Sequence, residues 1–171
     1  MSATGFSVRR ARTSDVRAIK QLVEPLVQRG ILLGKELVVF FESLQEFRVA
    51  VDDATGEVIG CGAVHVIWED LGEIRTLVVS DDWRGRGAGH GLLESLQHEA
   101  RELGLRRLFC LTFEVEFFGR HGFARIDEQL LVDPEVYAEL VRSSDEGVAE
   151  FLDLSRVKPN TLGNTRMLKA L

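Results

Sequence analysis

Residues 81–93 read DDWRGRGAGHGLL, which places Gly85, Gly87, Gly89 and Gly91 at every second position. A strand-like run, EIRTLVVS, precedes this stretch, and an amphipathic helix-like run, GLLESLQHEARELG, follows it. A turn that only joins a strand to a helix needs one or two glycines, not a spaced series. The loop and the first helical turn carry N–H groups that have no intrahelical partner. Together with the positive end of the helix dipole they form an anion site, and the missing Cβ atoms let backbone approach phosphate oxygens. Three phosphate-binding patterns compete for this loop. GxxxxGK[ST] fails because no lysine or hydroxyl stands where it is required. GxGxxG fails because its sixth position falls on His90 or Leu92. R-x-x-G-x-G is met by Arg84, Gly87 and Gly89, with Arg86 adding charge beside it. A pyrophosphate is the anion that suits such a cradle.

The pattern along the chain places this loop in a mixed fold. GFSVRRA reads as a first strand, and Thr13 or Ser14 can cap a helix through DVRAIKQLVEPLVQRG, which Pro25 should bend or shorten. KELVVFFESLQ reads as a second helix. EFRVAVD, EVIGCGAVHVIW and LGEIRTLVVS read as strands. The helix after the glycines has a buried stripe of Leu92, Leu93, Leu96, Ala100 and Leu103. LRRLFCLT is apolar enough for a central strand, EVEFFGRHG is a short helix, and VAEFLDLSRV is strand-like. The expected class is α/β (α+β), a mixed central sheet flanked by helices, in one domain spanning 1–171.

Composition removes several alternatives. The formal charge of −6 argues against a nucleic-acid coat. No apolar run approaches the ~20 residues of a membrane span. The N-terminus lacks an apolar signal region, so the expected location is cytoplasmic. Cys61 and Cys110 stand in no ligand or CxxC spacing and read as free buried thiols. No metal-ligand spacing links the four histidines, so no metal is expected.

The glycine loop after a strand resembles that of the GNAT superfamily of acyl-CoA-dependent N-acyltransferases. FFGRHGF resembles that family's second signature, an aromatic residue followed by x-x-x-G-F, here Phe118 to Gly122-Phe123. The resemblance implies acetyl-CoA as co-substrate. Its pantetheine arm would pair with the strand end Leu77, Val78 and Val79, and its pyrophosphate would sit on Arg84, Gly85, Arg86, Gly87, Ala88, Gly89, His90 and Gly91. Phe118 would pack beside it. A wider resemblance, over roughly residues 8–171, is to the acetyltransferase domain of bacterial N-acetylglutamate synthases. It rests on Arg9-Arg10-Ala11, Pro25-Leu26, Gly30-Ile31-Leu32, Gly72-Glu73, Leu108 to Thr112 and the tail GNTRMLKAL. The chain looks like a short, stand-alone form without the amino-acid-kinase domain.

That resemblance implies acetyl transfer to the α-amine of L-glutamate, with L-glutamine as an alternative acceptor, the first step of arginine biosynthesis. Glu73 is the candidate general base, acting directly or through water. A backbone N–H near Val78 is the candidate oxyanion donor. Many members place a tyrosine general acid where Phe118 stands, and phenylalanine cannot donate a proton. His121 is a weaker acid candidate, with a surface-helix histidine as the plainer reading, and His65 on a strand is open in the same way. The acceptor's carboxylates call for cations, and Lys35, Arg75, Lys158 and Arg166 are the candidates, with Asn160 and Asn164 as neutral partners. Arg75 is two residues from Glu73, so both point to one face of their strand. The family often carries arginine after G-I-L-V. Here the stretch is GILLGKEL, with Gly34 and Lys35, a departure that opens the site to glutamine or a related amino acid. Other readings are acetylation of another small amine or a protein amine, and a non-catalytic acyl-CoA-binding regulator. The sequence leaves assembly open, a homodimer included.

Overall fold

The computed structural model of the chain describes residues 3–126, 133–152 and 164–171. Strand β1 (Phe6–Arg10) leads through a single 3-10 turn into α1 (Val16–Gln28) and then α2 (Leu37–Glu42). Three strands follow, β2 (Phe47–Asp52), β3 (Val58–Trp68) and β4 (Leu71–Val79), then α3 (Ala88–Glu102) and β5 (Arg107–Thr112). The remainder comprises α4 (Val115–Arg120), β6 (Ala124–Arg125), α5 (Pro134–Leu140), α6 (Glu146–Phe151) and β7 (Thr165–Ala170). The strands form one sheet in the order β1-β2-β3-β4-β5-β7-β6. All pairings are antiparallel except β4 with β5.

Helices cover both faces, which is why β2 is buried along four successive residues, Phe47 to Ala50. Helices α1 and α2 press Val16, Ile19, Val23 and Phe40 onto Val49, Cys61 and Ala63. Helix α3 lies on the opposite face, where Leu93 and Leu96 meet Val64, Ile74 and Cys110. Phe109, between Leu108 and Cys110, points back to the first face and packs with Phe151 and Leu140 of α6 and α5. Among the described residues the first face therefore carries two helix pairs, with a gap over β3, β4 and β5. Across the sheet, Arg48 of β2 is buried and bonds Glu99 of α3 at 2.6 Å, an ion pair that fixes the helix on the strands.

Several sequence expectations change. VAEFLDLSRV does not begin as a strand: Val148, Ala149, Phe151 and Leu152 are buried at helical spacing in and just after α6. Residues 153–157 of that stretch lie outside the described residues. The last strand is instead the tail, where Thr165 to Ala170 pair with β5 from Thr112 to Arg107. Leu103 is 52% exposed, because it caps α3 rather than extending its stripe, and Gln97 is buried in that helix instead. Asp15, not Thr13 or Ser14, holds the entry to α1. Its carboxylate accepts the Arg12 N–H at 2.7 Å and meets the Arg9 guanidinium at 2.7 and 3.0 Å. Helix α1 continues through Pro25, which falls in its last turn. Among the described residues, no helix is long and apolar enough to cross a membrane.

Both thiols are buried and free. Burial pushes Cys61 up to about 12, against a smaller opposite pull from the Val78 N–H. Burial also raises Cys110, helped by the Glu73 charge. Only the thiolate reacts, so both should be inert near pH 8. Thiol reagents are expected to leave the native protein unlabelled and to label both cysteines after denaturation. Rapid labelling of the native protein would contradict this packing.

Candidate active site

The parallel pair β4–β5 is short. It runs from Leu71 opposite Arg107 to Glu73 opposite Phe109 and ends there. Beyond that point β4 continues to Val79 and β5 to Thr112, so the two strands part and leave an opening in the sheet. The separation coincides with a bulge. Between the pairs Cys61–Val78 and Ala63–Arg75, β4 has one residue more than β3. Within it Thr76 has φ +56°, the one non-glycine with positive φ among the described residues. Such a residue costs about 1–3 kcal/mol, and bulges re-aim strands beside sites. Below the bulge Glu73 and Arg75 share the first face. Above it the Ser80 N–H bonds Ile59 O on β3, and by alternation the backbone groups of Val78 also face β3. Those of Leu77 and Val79 face the opening. The oxyanion candidate near Val78 therefore narrows to one of these neighbours.

A cleft of about 1400 Å³ runs through this opening, larger than the ~300–1,000 Å³ of ordinary small-molecule pockets. One arm reaches the glycine loop. Gly85 and Gly87 have φ +74° and +89°, and a Cβ on either would meet nothing within 4 Å. Their conformation demands glycine, and the space beside them is open. The N–H groups of Ala88, Gly89 and His90 lie in the first turn of α3, where no carbonyl four residues back belongs to the helix. Two members of the expected donor set are already committed. The Arg84 N–H bonds Asp81 O at 3.2 Å, and the Gly91 N–H bonds Gly87 O at 2.9 Å. Gly91 instead serves packing, since a Cβ there would press on Phe6 and Val8 at 3.3 and 3.4 Å. The backbone donors thus narrow to residues 85–90. Arg86 stacks on Trp83, 4.9 Å from the ring centre.

The other arm is polar. Glu73 is buried, 5% exposed, and its Oε2 lies 2.5 Å from Arg75 Nη2. Asp145 grips the same guanidinium through both oxygens, at 2.9 and 3.0 Å. Asp145 also accepts the Val148 N–H at 3.1 Å, so it caps α6 and ties that helix to β4. Burial would raise its pKa, but the hydrogen bonds and charge of Arg75 hold the carboxyl well below the usual range. The two carboxylates in turn raise Arg75 against the effect of burial. Lys35 lies close by, and its pKa is lowered by burial and by the Arg75 charge, while Asp145, Glu73 and Glu46 pull the other way. His65 Nδ1 is 2.7 Å from Glu46 Oε1.

Phe118 is 5% exposed and packs edge-on against Phe117 and Phe123, with centroids at 5.2 and 5.1 Å. His121 Nδ1 is 2.8 Å from the Phe117 carbonyl, and its Nε2 is 2.8 Å from His90 Nδ1. Because a carbonyl only accepts, Nδ1 carries the hydrogen and Nε2 is left to accept from His90. Both His121 nitrogens are engaged, as suits a packing role more than an acid. Of the expected acceptor ligands, Lys35, Arg75 and Asn164 line the cleft. Arg166 does not line it: it pairs opposite Leu111, and its carbonyl accepts the Ile126 N–H. Lys158 and Asn160 lie outside the described residues. Asp145 and Glu46 were not anticipated. Asp145 carries a local sign, a capping aspartate before an apolar helical run, whereas nothing local marks Glu46.

Residues 21–123 match the acetyltransferase (GNAT) family. The chain belongs to the GNAT acetyltransferase family. An amino-acid acetyltransferase of Mycobacterium tuberculosis is 58% identical over 165 residues, 96% of this chain and 94% of that protein. A crystal structure of a Mycobacterium tuberculosis protein in complex with CoA and NLQ shares 58% identity, with TM-score 0.90 over 96% of this chain and 99% of that one. N-acetylglutamate synthase from Neisseria gonorrhoeae, complexed with coenzyme A and N-acetyl-glutamate, is 27% identical with TM-score 0.75. The match to that synthase covers 97% of this chain and 35% of the longer one.

The GNAT fold implies acyl-CoA, and the residues present fit it. The opening past Glu73 has room for an extended arm, and the donors at 85–90 suit a pyrophosphate. Gly87→Val should weaken acetyl-CoA binding about tenfold or more, since a non-glycine in this region costs about 1–2 kcal/mol. Calorimetry on the folded variant checks this. Gly147 gives a second test. A Cβ there would overlap Glu73 Oε2 and lie 2.7 Å from Arg75 Nη2. Gly147→Ala should therefore displace the Glu73–Arg75 pair and lower turnover by up to about 10²-fold, while leaving acetyl-CoA affinity near that of the parent protein.

Proposed function

We propose that this GNAT protein transfers the acetyl group of acetyl-CoA to the α-amine of a small amino acid, glutamine or glutamate. The observation that carries the reading is the position of Glu73, a buried carboxylate at the point where β4 and β5 part. An acyl-CoA threaded through the opening would bring its thioester near this fork. Bound there, it supplies the acetyl group and a thiolate leaving group. The chain's own residues do the rest. Glu73, held at Oε2 by Arg75, takes a proton from the acceptor's ammonium through its other oxygen or through water. The N–H of Leu77 or Val79 faces the opening and is the donor for the charge that develops on the thioester oxygen, typically worth about 10²–10³-fold. Residues 85–90 hold the pyrophosphate, and Phe117 and Phe118 shield the arm from water.

The acceptor is read from charge. Among the described residues of the polar arm, Arg75 is already matched by Glu73 and Asp145, which leaves Lys35 as the cation to meet an α-carboxylate. A second carboxylate would enter beside Glu46, Glu73 and Asp145. The amide of glutamine avoids that repulsion, so glutamine is the favoured acceptor. The names of the relatives support the same class, an amino-acid acetyltransferase and a synthase crystallised with N-acetyl-glutamate. Either acceptor would place the enzyme at the entry to arginine biosynthesis, and the two free thiols suit a reducing cytoplasm.

Thiol release from acetyl-CoA, measured with a panel of amino acids, is expected to respond to glutamine first and glutamate second. Activity on peptide amines alone would remove the amino-acid reading. Glu73→Gln is expected to lower kcat by about 10²–10⁴-fold with acetyl-CoA affinity unchanged. A variant with full turnover would show that Glu73 is not the base.

A further inference from the structure

We propose that His65 takes the proton from Glu73 and returns it to solvent, so that the buried base is reset between turnovers. This rests on the reading of Glu73 as the base. Glu73 is 5% exposed, and a bound acyl-CoA and acceptor would cover it further. Its proton must nevertheless leave on every cycle.

His65 is the direct cross-strand partner of Glu73 in the β3–β4 register, which brings the two Cβ atoms within about 4.5–5.5 Å. Two residues after Ala63, it shares the cleft face. Its side chain is 25% exposed, against 7% for that of Glu73, so it is the better connected to water. Glu46 sets its tautomer. The Glu46 carboxylate only accepts, so Nδ1, at 2.7 Å, carries a hydrogen. Nε2 is then the nitrogen free to receive a proton. It sits 3.7 Å from Asp145 Oδ2, too far for a direct hydrogen bond but near enough for attraction.

The groups that face His65 are charged. Glu46, Asp145 and Glu73 bring three negative charges, and Arg75 and Lys35 bring the positive ones, with Arg75 already bound to two of the carboxylates. The proton balance closes. The ammonium gives a proton to the Glu73 carboxylate and becomes the attacking amine. The Glu73 carboxyl passes that proton, through water, to Nε2. The imidazolium, held between Glu46 and Asp145, releases it from the same nitrogen when the product leaves and water returns. A merely structural His65 would only anchor the turn that carries Glu46.

The two roles separate experimentally. His65→Gln keeps an N–H for Glu46 but cannot take a proton. Its kcat is expected to fall, by up to the ~10²-fold at the lower end of acid–base contributions. The KM for the amino acid and the affinity for acetyl-CoA should be unchanged. The deficit should shrink in concentrated buffer with pKa near 7, and added imidazole should restore turnover to His65→Gly. Full kcat in His65→Gln at low buffer, or a raised KM with unchanged kcat, would overturn the proposal. If Glu73→Gln is slow while His65→Gln is silent, only the His65 step fails. If Glu73→Gln is itself silent, the base reading fails first.

Discussion

Three residue pairs of parallel sheet, Leu71–Arg107 to Glu73–Phe109, control the rest of this molecule. They hold the halves of the sheet together below the site, and their ending makes the site. Had the pairing run on to Val79, the backbone groups of Leu77 and Val79 would be spent on β5 and no opening would exist. The helices preserve the break. On one face α3 starts at the mouth of the opening and is locked to β2 by Arg48 and Glu99. On the other, Phe151 packs on Phe109, the last residue of β5 that pairs with β4, at 5.2 Å. The strain at Thr76 is the local cost of turning β4 away, and it persists because β3 still pairs on both sides of the bulge.

Arg75 performs the same linking task electrostatically. It joins the strand that carries Glu73 to the helix that carries Asp145. Its Nε is nevertheless buried without a hydrogen bond, which costs about 1–3 kcal/mol. A buried ion pair is weak evidence for stability, so the arrangement is better understood as positional. Asp145 takes both terminal nitrogens, and Glu73 shares only one of them. Its second oxygen is thereby left for other partners. Gly147 makes this geometry feasible, because α6 starts so close to the pair that a methyl group would collide with it.

Much of the fold was legible in the sequence where local chemistry and tertiary role coincide. The glycines after EIRTLVVS marked the loop because Gly85 and Gly87 need positive φ and Gly89 and Gly91 need close approach, to Phe117 and to Phe6 and Val8. One spaced series thus meets two steric needs, a left-handed backbone and close packing. Legibility failed where partners are distant in sequence. VAEFLDLSRV is as apolar as a strand, and only its fit against Phe109 and Ile67 makes its start helical. The tail GNTRMLKAL resembles a substrate-binding ending, yet from Thr165 to Ala170 its backbone pairs with β5 and its side chains alternate between Met167 on one face and Leu168 on the other. That alternation, not any property of arginine, decides where Arg166 points. Glu46 and His65 are 19 residues apart, and Arg75 and Asp145 are 70 apart. No periodicity could join them.

Phe118 carries no hydroxyl, which bears on how the chemistry is distributed. Phe118 lies among Phe117, Phe123 and the core of α3, an environment that would charge heavily for an unpaired phenol. The apolar wall and the absent donor are therefore one choice. Phe117 and Phe118 give one arm of the cleft an aromatic wall, while Glu73, Arg75, Asp145 and Lys35 gather in the polar arm. On the proposed reading of Glu73 as the base, the thiolate departs without a proton from Phe118, and the sharper demand falls on the side that generates the amine. There the structure has concentrated its means: a buried carboxylate, an arginine shared between two acids, and a histidine in register beside them.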